Sequence, residues 1–245
     1  MTSSTKLCTI MYIIAISNGH LLGPWIQPES PTFPSEKYSS QVIGYESITD
    51  RIWLIGGFIT KSAPTSNTVH SFNVQSLTFT AHNTISDPVI AGAQTYTQHN
   101  ETIYMIWDDR STNAISTFNM NTQQFTPKLE GSTFPIYVYL EGALTFHDGY
   151  LLVTGGRTNA SIDGIAHNRF QIFHISDALW FEGPELPQNR NCHTSAVVDN
   201  YLYAIGGSTN IVIRIYVGDL QNISNYQSKQ SLCGLKNRRE KENAH

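Results

Sequence analysis

The feature that most restricts the fold of this chain is an apolar, strand-like segment that ends in a glycine pair and returns at a regular interval. It reads Arg51-Ile-Trp-Leu-Ile-Gly-Gly57, then Tyr150-Leu-Leu-Val-Thr-Gly-Gly156, then Tyr201-Leu-Tyr-Ala-Ile-Gly-Gly207. A degenerate copy, Thr102-Ile-Tyr-Met-Ile-Trp-Asp108, stands between the first two. The first members of the terminal pairs, Gly56, Trp107, Gly155 and Gly206, are separated by 51, 48 and 51 residues. The second members are Gly57, Asp108, Gly156 and Gly207. A repeat of this length means one supersecondary unit per period, each needing its neighbours to complete a core.

A second landmark keeps the same register. Each unit carries an aromatic residue and, seven positions on, a bulky apolar one: Phe72 and Phe79, Phe118 and Phe125, Phe173 and Trp180, Tyr216 and Ile223. A turn such as Asn73-Val-Gln-Ser or His174-Ile-Ser-Asp lies between them. The interval from glycine pair to aromatic varies, which places a tolerant loop there. The third unit reads as four strands, at Gly142 to His147, Tyr150 to Thr154, Arg169 to Ile175 and Leu179 to Glu182, with a hairpin turn at Asp148-Gly149. The second strand is apolar on both faces, with Tyr201, Tyr203 and Ile205 on one side and Leu202 and Ala204 on the other. It must be covered twice, and sheets stacked face to face supply that. The glycine pair predicts positive φ where the chain leaves the strand, and a close approach of neighbouring inner strands.

These residues resemble the kelch repeat, within the galactose-oxidase-like central-domain superfamily of β-propellers. The third unit is the fullest match, with Gly155, Gly156, Phe173, Trp180, Pro187 and Arg190, and Arg190-Asn-Cys-His193 is similar to the family's Arg-x-x-His entry to an inner strand. The resemblance covers Ser40 to Ile223 and implies an all-β, kelch-type β-propeller with four recognisable four-stranded blades in an incomplete ring. The departures are the Trp107-Asp108 replacement, which predicts different local packing, and a blade count below the family's usual complement. Three outcomes stay open: a truncated product, a small closed propeller, or completion by another chain. An open array exposes apolar faces on its terminal blades and so predicts self-association.

Flanking segments divide the chain further. Lys6 precedes an apolar run from Leu7 to Ile16, and Ala15-Ile16-Ser17 offers small residues, so residues 1–17 read as a signal peptide or, alternatively, as a buried strand or short helix. The run is too short to span a bilayer. Residues 18–39 form a Pro-rich lead-in around Trp25, like the outer strand of a missing blade. The blades occupy 40–232, where Asn225 to Leu232 is a candidate outer edge for the fourth, and a charged tail without an apolar stripe occupies 233–245. Sequons at Asn100, Asn159 and Asn222 are candidate glycosylation sites, and Cys192 with Cys233 a candidate disulfide or two lone thiols. Together these favour a secretory compartment over the cytoplasmic alternative.

Chemistry is sparse. The 15 basic and 19 acidic residues give a net charge of -4, unlike the basic face a phosphate backbone requires, so nucleic acid is not an expected partner. The histidines, His193 included, lack metal-ligand spacing, and no Cys-x-x-Cys, phosphate loop or nucleophile turn occurs. His193 reads as a hydrogen-bonding residue within its blade. Asp108 and Asp109, adjacent on the chain, do not converge as an acid/base pair. No catalytic, metal or cofactor residue is assigned. The expected binding surface is the loops between second and third strands, Phe58 to Thr68 and Arg157 to Asn168, with Arg157 as a charged anchor. The leading functional expectation is a non-enzymatic protein-interaction module. The alternatives are a carbohydrate-binding or sugar-modifying propeller, of oxidase or mutarotase type by family resemblance, and a non-functional truncated product.

Overall fold

The computed structural model describes residues 42–57, 67–82, 85, 93–107, 114–134, 141–157, 165–208, 212–218 and 220. The leader, the lead-in, the tail, Asp108, Asn159, Asn222, Ile223, Cys233 and the Asn225 to Leu232 edge lie outside these residues.

Among the described residues the chain forms four antiparallel sheets, each with its strands in chain order. The first contains β1 (Val42–Glu46), β2 (Arg51–Ile55), β3 (Val69–Asn73) and β4 (Thr78–Ala81). The second contains β5 (Ala93–His99), β6 (Thr102–Trp107), β7 (Ile115–Asn119) and β8 (Gln124–Thr126). The third contains β9 (Ala143–His147), β10 (Tyr150–Thr154), β11 (Phe170–His174) and β12 (Leu179–Glu182). The fourth has three described strands, β13 (Thr194–Val198), β14 (Tyr201–Ile205) and β15 (Ile213–Tyr216). The strands expected in the third unit are present, with the first and third slightly shorter than read. No sheet closes on itself.

The two landmarks acquire physical meaning in this register. Phe72 sits opposite Phe79, Phe118 opposite Phe125 and Phe173 opposite Trp180 across the β3–β4, β7–β8 and β11–β12 hairpins. Seven-residue spacing with a four-residue turn makes the two rings direct cross-strand partners. Their centroids lie 4.8 Å apart for Phe72–Phe79 and 5.0 Å for Phe173–Trp180. Each turn ends in a left-handed residue that is not glycine: Leu77 (φ 55°), Gln123 (φ 56°) and Ala178 (φ 55°). The Asn73 side chain accepts hydrogen bonds from the backbone N–H of Gln75 and Ser76, which holds the first of these turns. The hairpins at Asp148-Gly149 and Asp199-Asn200 carry positive φ at both turn residues, the twist that two-residue connections favour.

A hydrogen bond recurs in all four units: the residue following the third strand donates to the turn between the first two. Val74 donates to the Asp50 carbonyl, Met120 to Glu101, Ile175 to Gly149 and Val217 to Asn200, at 3.0, 2.8, 3.1 and 2.8 Å. The glycine-pair repeat is therefore a structural repeat, the degenerate second unit included. There β6 continues to Trp107, and the β5–β6 register shifts between Ala93 and Thr95.

The sheets stack in chain order. Trp53 and Ile55 from β2 share a core with Ile103 and Met105 from β6. Ile106 and Tyr104, on the opposite face of β6, meet Leu151 and Val153 from β10. Tyr150 and Leu152, on the other face of β10, meet Leu202 from β14. The two-sided apolar strands are thus covered on both sides in the second and third sheets. Fully burying a leucine- or phenylalanine-sized side chain is worth ~1.5–3 kcal/mol, so these three interfaces dominate the stability. The first strands of successive sheets also lie side by side, β1 by β5, β5 by β9 and β9 by β13. Polar groups join them. The Gln98 amide exchanges two hydrogen bonds with the Tyr45 backbone, at 2.8 and 2.6 Å, Phe146 N–H donates to Thr97 Oγ1 at 3.3 Å, and the Thr145 and Ser195 hydroxyls are 2.5 Å apart.

The two ends of the stack differ, whereas the open-array reading makes both terminal faces bare. In the first sheet Ile52 and Leu54, facing away from the second, are 3% and 1% exposed, so both faces are buried. In the fourth sheet the face away from the third is open: Ile205, Val198 and Tyr216 are 44%, 55% and 53% exposed.

Candidate functional site

Every β-sheet here runs its second strand toward the same end of the stack, and that end collects the glycine pairs, the loops after them and the crossings between sheets. The best-defined constellation lies there, between the third and fourth sheets.

Its backbone frame is the segment from Arg190 to His193. Gly155 (φ +56°) and Gly207 (φ +85°) flank it, and a Cβ at Gly155 would lie 2.4 Å from the Arg190 carbonyl oxygen and 2.7 Å from His193 Cε1. A Cβ at Gly207 would lie 2.3 Å from the Asn191 oxygen. Gly156 N–H donates to the Arg190 carbonyl at 2.7 Å. The expected close approach at the glycine pair is real, but its partner is this crossing segment and not an inner strand. Gly206 (φ +74°) has nothing within 4 Å of its Cβ position. Arg190 is fully buried, and its Nη1 donates to the carbonyls of Ala204 at 3.0 Å and Gly206 at 3.2 Å. It ties the crossing to the end of β14.

The side chains around this frame converge on Glu141, which precedes β9. Arg157 Nη2 donates to Glu141 Oε1 at 2.5 Å. Asn191 Nδ2 donates to Oε2 at 2.7 Å and the Cys192 thiol to the same oxygen at 3.2 Å, while Cys192 N–H reaches the Glu141 carbonyl at 2.7 Å. Burial pushes the Glu141 carboxyl up, but the donors Asn191 and Cys192 and the Arg157 charge outweigh it and hold the carboxyl below its usual range. Burial and the Glu141 carboxylate push the Cys192 thiol up. Cys192 is therefore a protonated hydrogen-bond donor, the opposite of an activated thiolate.

Two histidines back the cluster. Burial, and secondarily the Arg190 charge, lowers His193 to about 4, and its Nε2 lies 2.9 Å from Thr154 Oγ1. Burial and then Arg169 lower His167 to about 4. The His167 backbone N–H bonds the Gly156 carbonyl, and its own carbonyl accepts from Arg190 N–H. Both rings are neutral near pH 7 and serve as packed polar groups.

The arrangement holds the Arg157 loop by its base. Arg157 pairs with Ala166 in an isolated bridge, with Ile165 beside it 73% exposed. Arg157, read from the sequence as the charged anchor of this loop, is half-buried and paired with Glu141. Of the other sequence-derived residues, Gly56, Gly57, Gly206 and Gly207 carry the predicted positive φ at this end. Phe72, Phe118, Phe173 and Trp180 lie in the sheets, and Tyr216 on the open face. Asn100 is exposed in the β5–β6 turn, at the opposite end of the stack. Cys192 is exposed and is bonded to no cysteine among the described residues, which do not include Cys233. Sequence reasoning missed Glu141 and Asn191, whose meeting spans 50 residues; only the third-unit register, which puts Glu141 just ahead of an inner strand, points to it. Among the described residues no group of three or more His, Cys, Asp or Glu is placed to hold a metal, and no helix is long and apolar enough to cross a membrane. No protein-family model matches the chain, and no curated protein matches it.

Proposed function

We propose that the chain is a kelch-type propeller array that works as a protein-binding module, presenting the Arg157 to Asn168 loop at the glycine-pair end. What supports the propeller reading is the stacking of up-and-down sheets in chain order with their first strands adjacent, together with the hydrogen bond repeated in every unit. The observation that carries the binding reading is the clamped loop base. Glu141 takes up donors from Arg157, Asn191 and Cys192, and beside them a large apolar side chain, Ile165, faces solvent. A fixed base with an exposed apolar side chain beside it lowers the ordering cost of binding, which is how scaffolded loops gain affinity. Three donors are gathered on one carboxylate, which suits support and not bond-breaking.

The test compares Ile165→Asp with Ile48→Asp. Both isoleucines are 73% exposed, but Ile48 sits in the β1–β2 turn at the opposite end. A protein retained by the wild-type chain should be retained by Ile48→Asp and lost by Ile165→Asp. Retention by both variants, or reproducible turnover of a sugar by the purified chain, would overturn the reading.

A further inference from the structure

We propose that the crossing from Arg190 to His193 is an acid-sensitive catch on the Arg157 loop, holding the loop base at neutral pH and freeing it under acid conditions. The proposal rests on that loop being the binding surface, and adds its regulation. The crossing is placed to act as a catch because the supports of the loop run through it. Its side chains Asn191 and Cys192 supply two of the three donors on Glu141, and Arg157 supplies the third. Its backbone reaches both sides of the loop. The Arg190 carbonyl accepts from Gly156 N–H at 2.7 Å, and Arg190 N–H donates to the His167 carbonyl at 3.1 Å. Gly156 and His167 are themselves paired, His167 N–H to the Gly156 carbonyl at 2.9 Å. Lifting the crossing therefore removes the loop's supports together.

The titratable group inside the catch is the His193 ring. It is 8% exposed and packs against Gly155, with its Nε2 2.9 Å from Thr154 Oγ1. Its Nδ1 is buried without a hydrogen-bond partner. A neutral imidazole suits this site as the tautomer that donates from Nε2 to Thr154 and leaves Nδ1 bare. Protonation places a second N–H at Nδ1, where no acceptor stands, and a positive charge in the field of Arg190. Both penalties disappear once the ring reaches water. The other charged and titratable groups of this region are few. Cys192 lies on the crossing, Glu141 precedes β9, Arg157 follows β10, and His167 and Arg169 lead into β11; β14 ends on Gly206 and Gly207 and brings no charge. Glu141, held below the usual carboxylate range by its donors, stays ionised at pH 5 and above.

His193 titrates at about 4 in the closed crossing and at 6.5 ordinarily. The closed form is thus fully favoured above pH 6.5 and loses its advantage as the pH falls toward 4. Between pH 7.5 and pH 5 the opening equilibrium rises about thirtyfold for each such ring that reaches water. His167, also lowered to about 4 and bonded to the crossing through its carbonyl, adds a second factor of that size.

The experiment is hydrogen exchange of the full chain at pH 7.5 and pH 5, with labelling times scaled to equal intrinsic rates, so that protection reports the opening equilibrium. The amides of Gly156, His167, Arg190 and Cys192 should lose protection by thirtyfold or more at pH 5, while those of β2 and β6 remain the slower at both pH values. In His193→Gln the ratio of protection between the two pH values should shrink by about thirtyfold, whatever the variant's own stability, and His167→Gln provides the same comparison at the second ring. Protection at the loop base that is equal at the two pH values would overturn the proposal. So would ratios unchanged in both variants, or loop-base amides no faster than those of β2 at pH 5, which would make the loss global unfolding. None of these readouts needs a partner, so their failure removes the catch alone, whereas a partner retained by Ile165→Asp removes the binding reading.

Discussion

Alanine substitution at two glycines of one repeat position separates the cost of a backbone conformation from the cost of a close approach. Gly155 and Gly206 are equivalent in the repeat, and both are left-handed, with φ +56° and +74°. An L-residue there costs ~1–2 kcal/mol, offset by ~0.4–1 kcal/mol because alanine also restricts the unfolded chain. That leaves about 0.5–1 kcal/mol at either site. The surroundings then diverge. At Gly206 an added methyl meets nothing within 4 Å, whereas at Gly155 it would stand 2.4 Å from the Arg190 carbonyl oxygen. Restoring an ordinary contact of ~3.5 Å requires that carbonyl to retreat by about 1 Å. The same carbonyl accepts the Gly156 N–H at 2.7 Å, and Arg190 is locked to β14 by two further hydrogen bonds, so the retreat is resisted. Overpacking costs ~1–3 kcal/mol and the weakened hydrogen bond about 1 kcal/mol. Gly155→Ala should therefore destabilise by about 3–5 kcal/mol in all, and Gly206→Ala by about 1 kcal/mol or less. For a chain of this size each kcal/mol moves the thermal midpoint by ~2–4 °C, so calorimetry should place Gly155→Ala roughly 5–15 °C below Gly206→Ala. Equal shifts for the two variants would refute the claim that the crossing segment presses on the third sheet's glycine pair.

Arg190→Met keeps the bulk of the side chain but removes the donors to the Ala204 and Gly206 carbonyls; we expect a loss of about 2–4 kcal/mol, read by urea unfolding, with hydrogen exchange accelerating first in β14. His167 and His193 titrate at about 4 when folded against 6.5 ordinarily, so between those values the unfolded chain binds more protons. Stability is then full above pH 6.5 and falls as pH drops toward 4, by up to ~1.4 kcal/mol per pH unit per histidine. In His193→Gln the slope of urea midpoint against pH should be about half the wild-type slope; an unchanged slope would show that His193 does not titrate with folding. Trp53→Ala empties the first inter-sheet core, where the ring is 1% exposed and its Nε1 bonds Glu46, and should cost about 3–5 kcal/mol by the same assay.

Much of this architecture is legible in the chain because its signals are local and recur. The glycine pairs fix where second strands end, and the seven-residue aromatic spacing fixes the hairpin that follows, since only a four-residue turn brings Phe173 opposite Trp180. Two-sided apolar strands imply stacked sheets. Other features leave no such trace. Leu77, Gln123 and Ala178 adopt left-handed φ without being glycine or asparagine, so nothing at those three positions announces the conformation. The Gln98–Tyr45 pairing joins residues 53 apart through a side-chain amide, which no strand pattern encodes. Glu141 stood outside every motif, because its role arises only when two crossings and a loop base meet around one carboxylate. Arg157 is legible by its position after the glycine pair, but its pairing with Glu141, 16 residues earlier, follows no local pattern.

Face-to-face stacking in chain order is tested most directly by a cross-link between first strands of neighbouring sheets. The Thr145 and Ser195 hydroxyls lie 2.5 Å apart, one on β9 and one on β13. With Thr145→Cys and Ser195→Cys combined, mild oxidation followed by peptide mapping should find a disulfide joining positions 145 and 195 in the folded chain. Thiols that stay reduced at these positions, or pair only after unfolding, would contradict the stack.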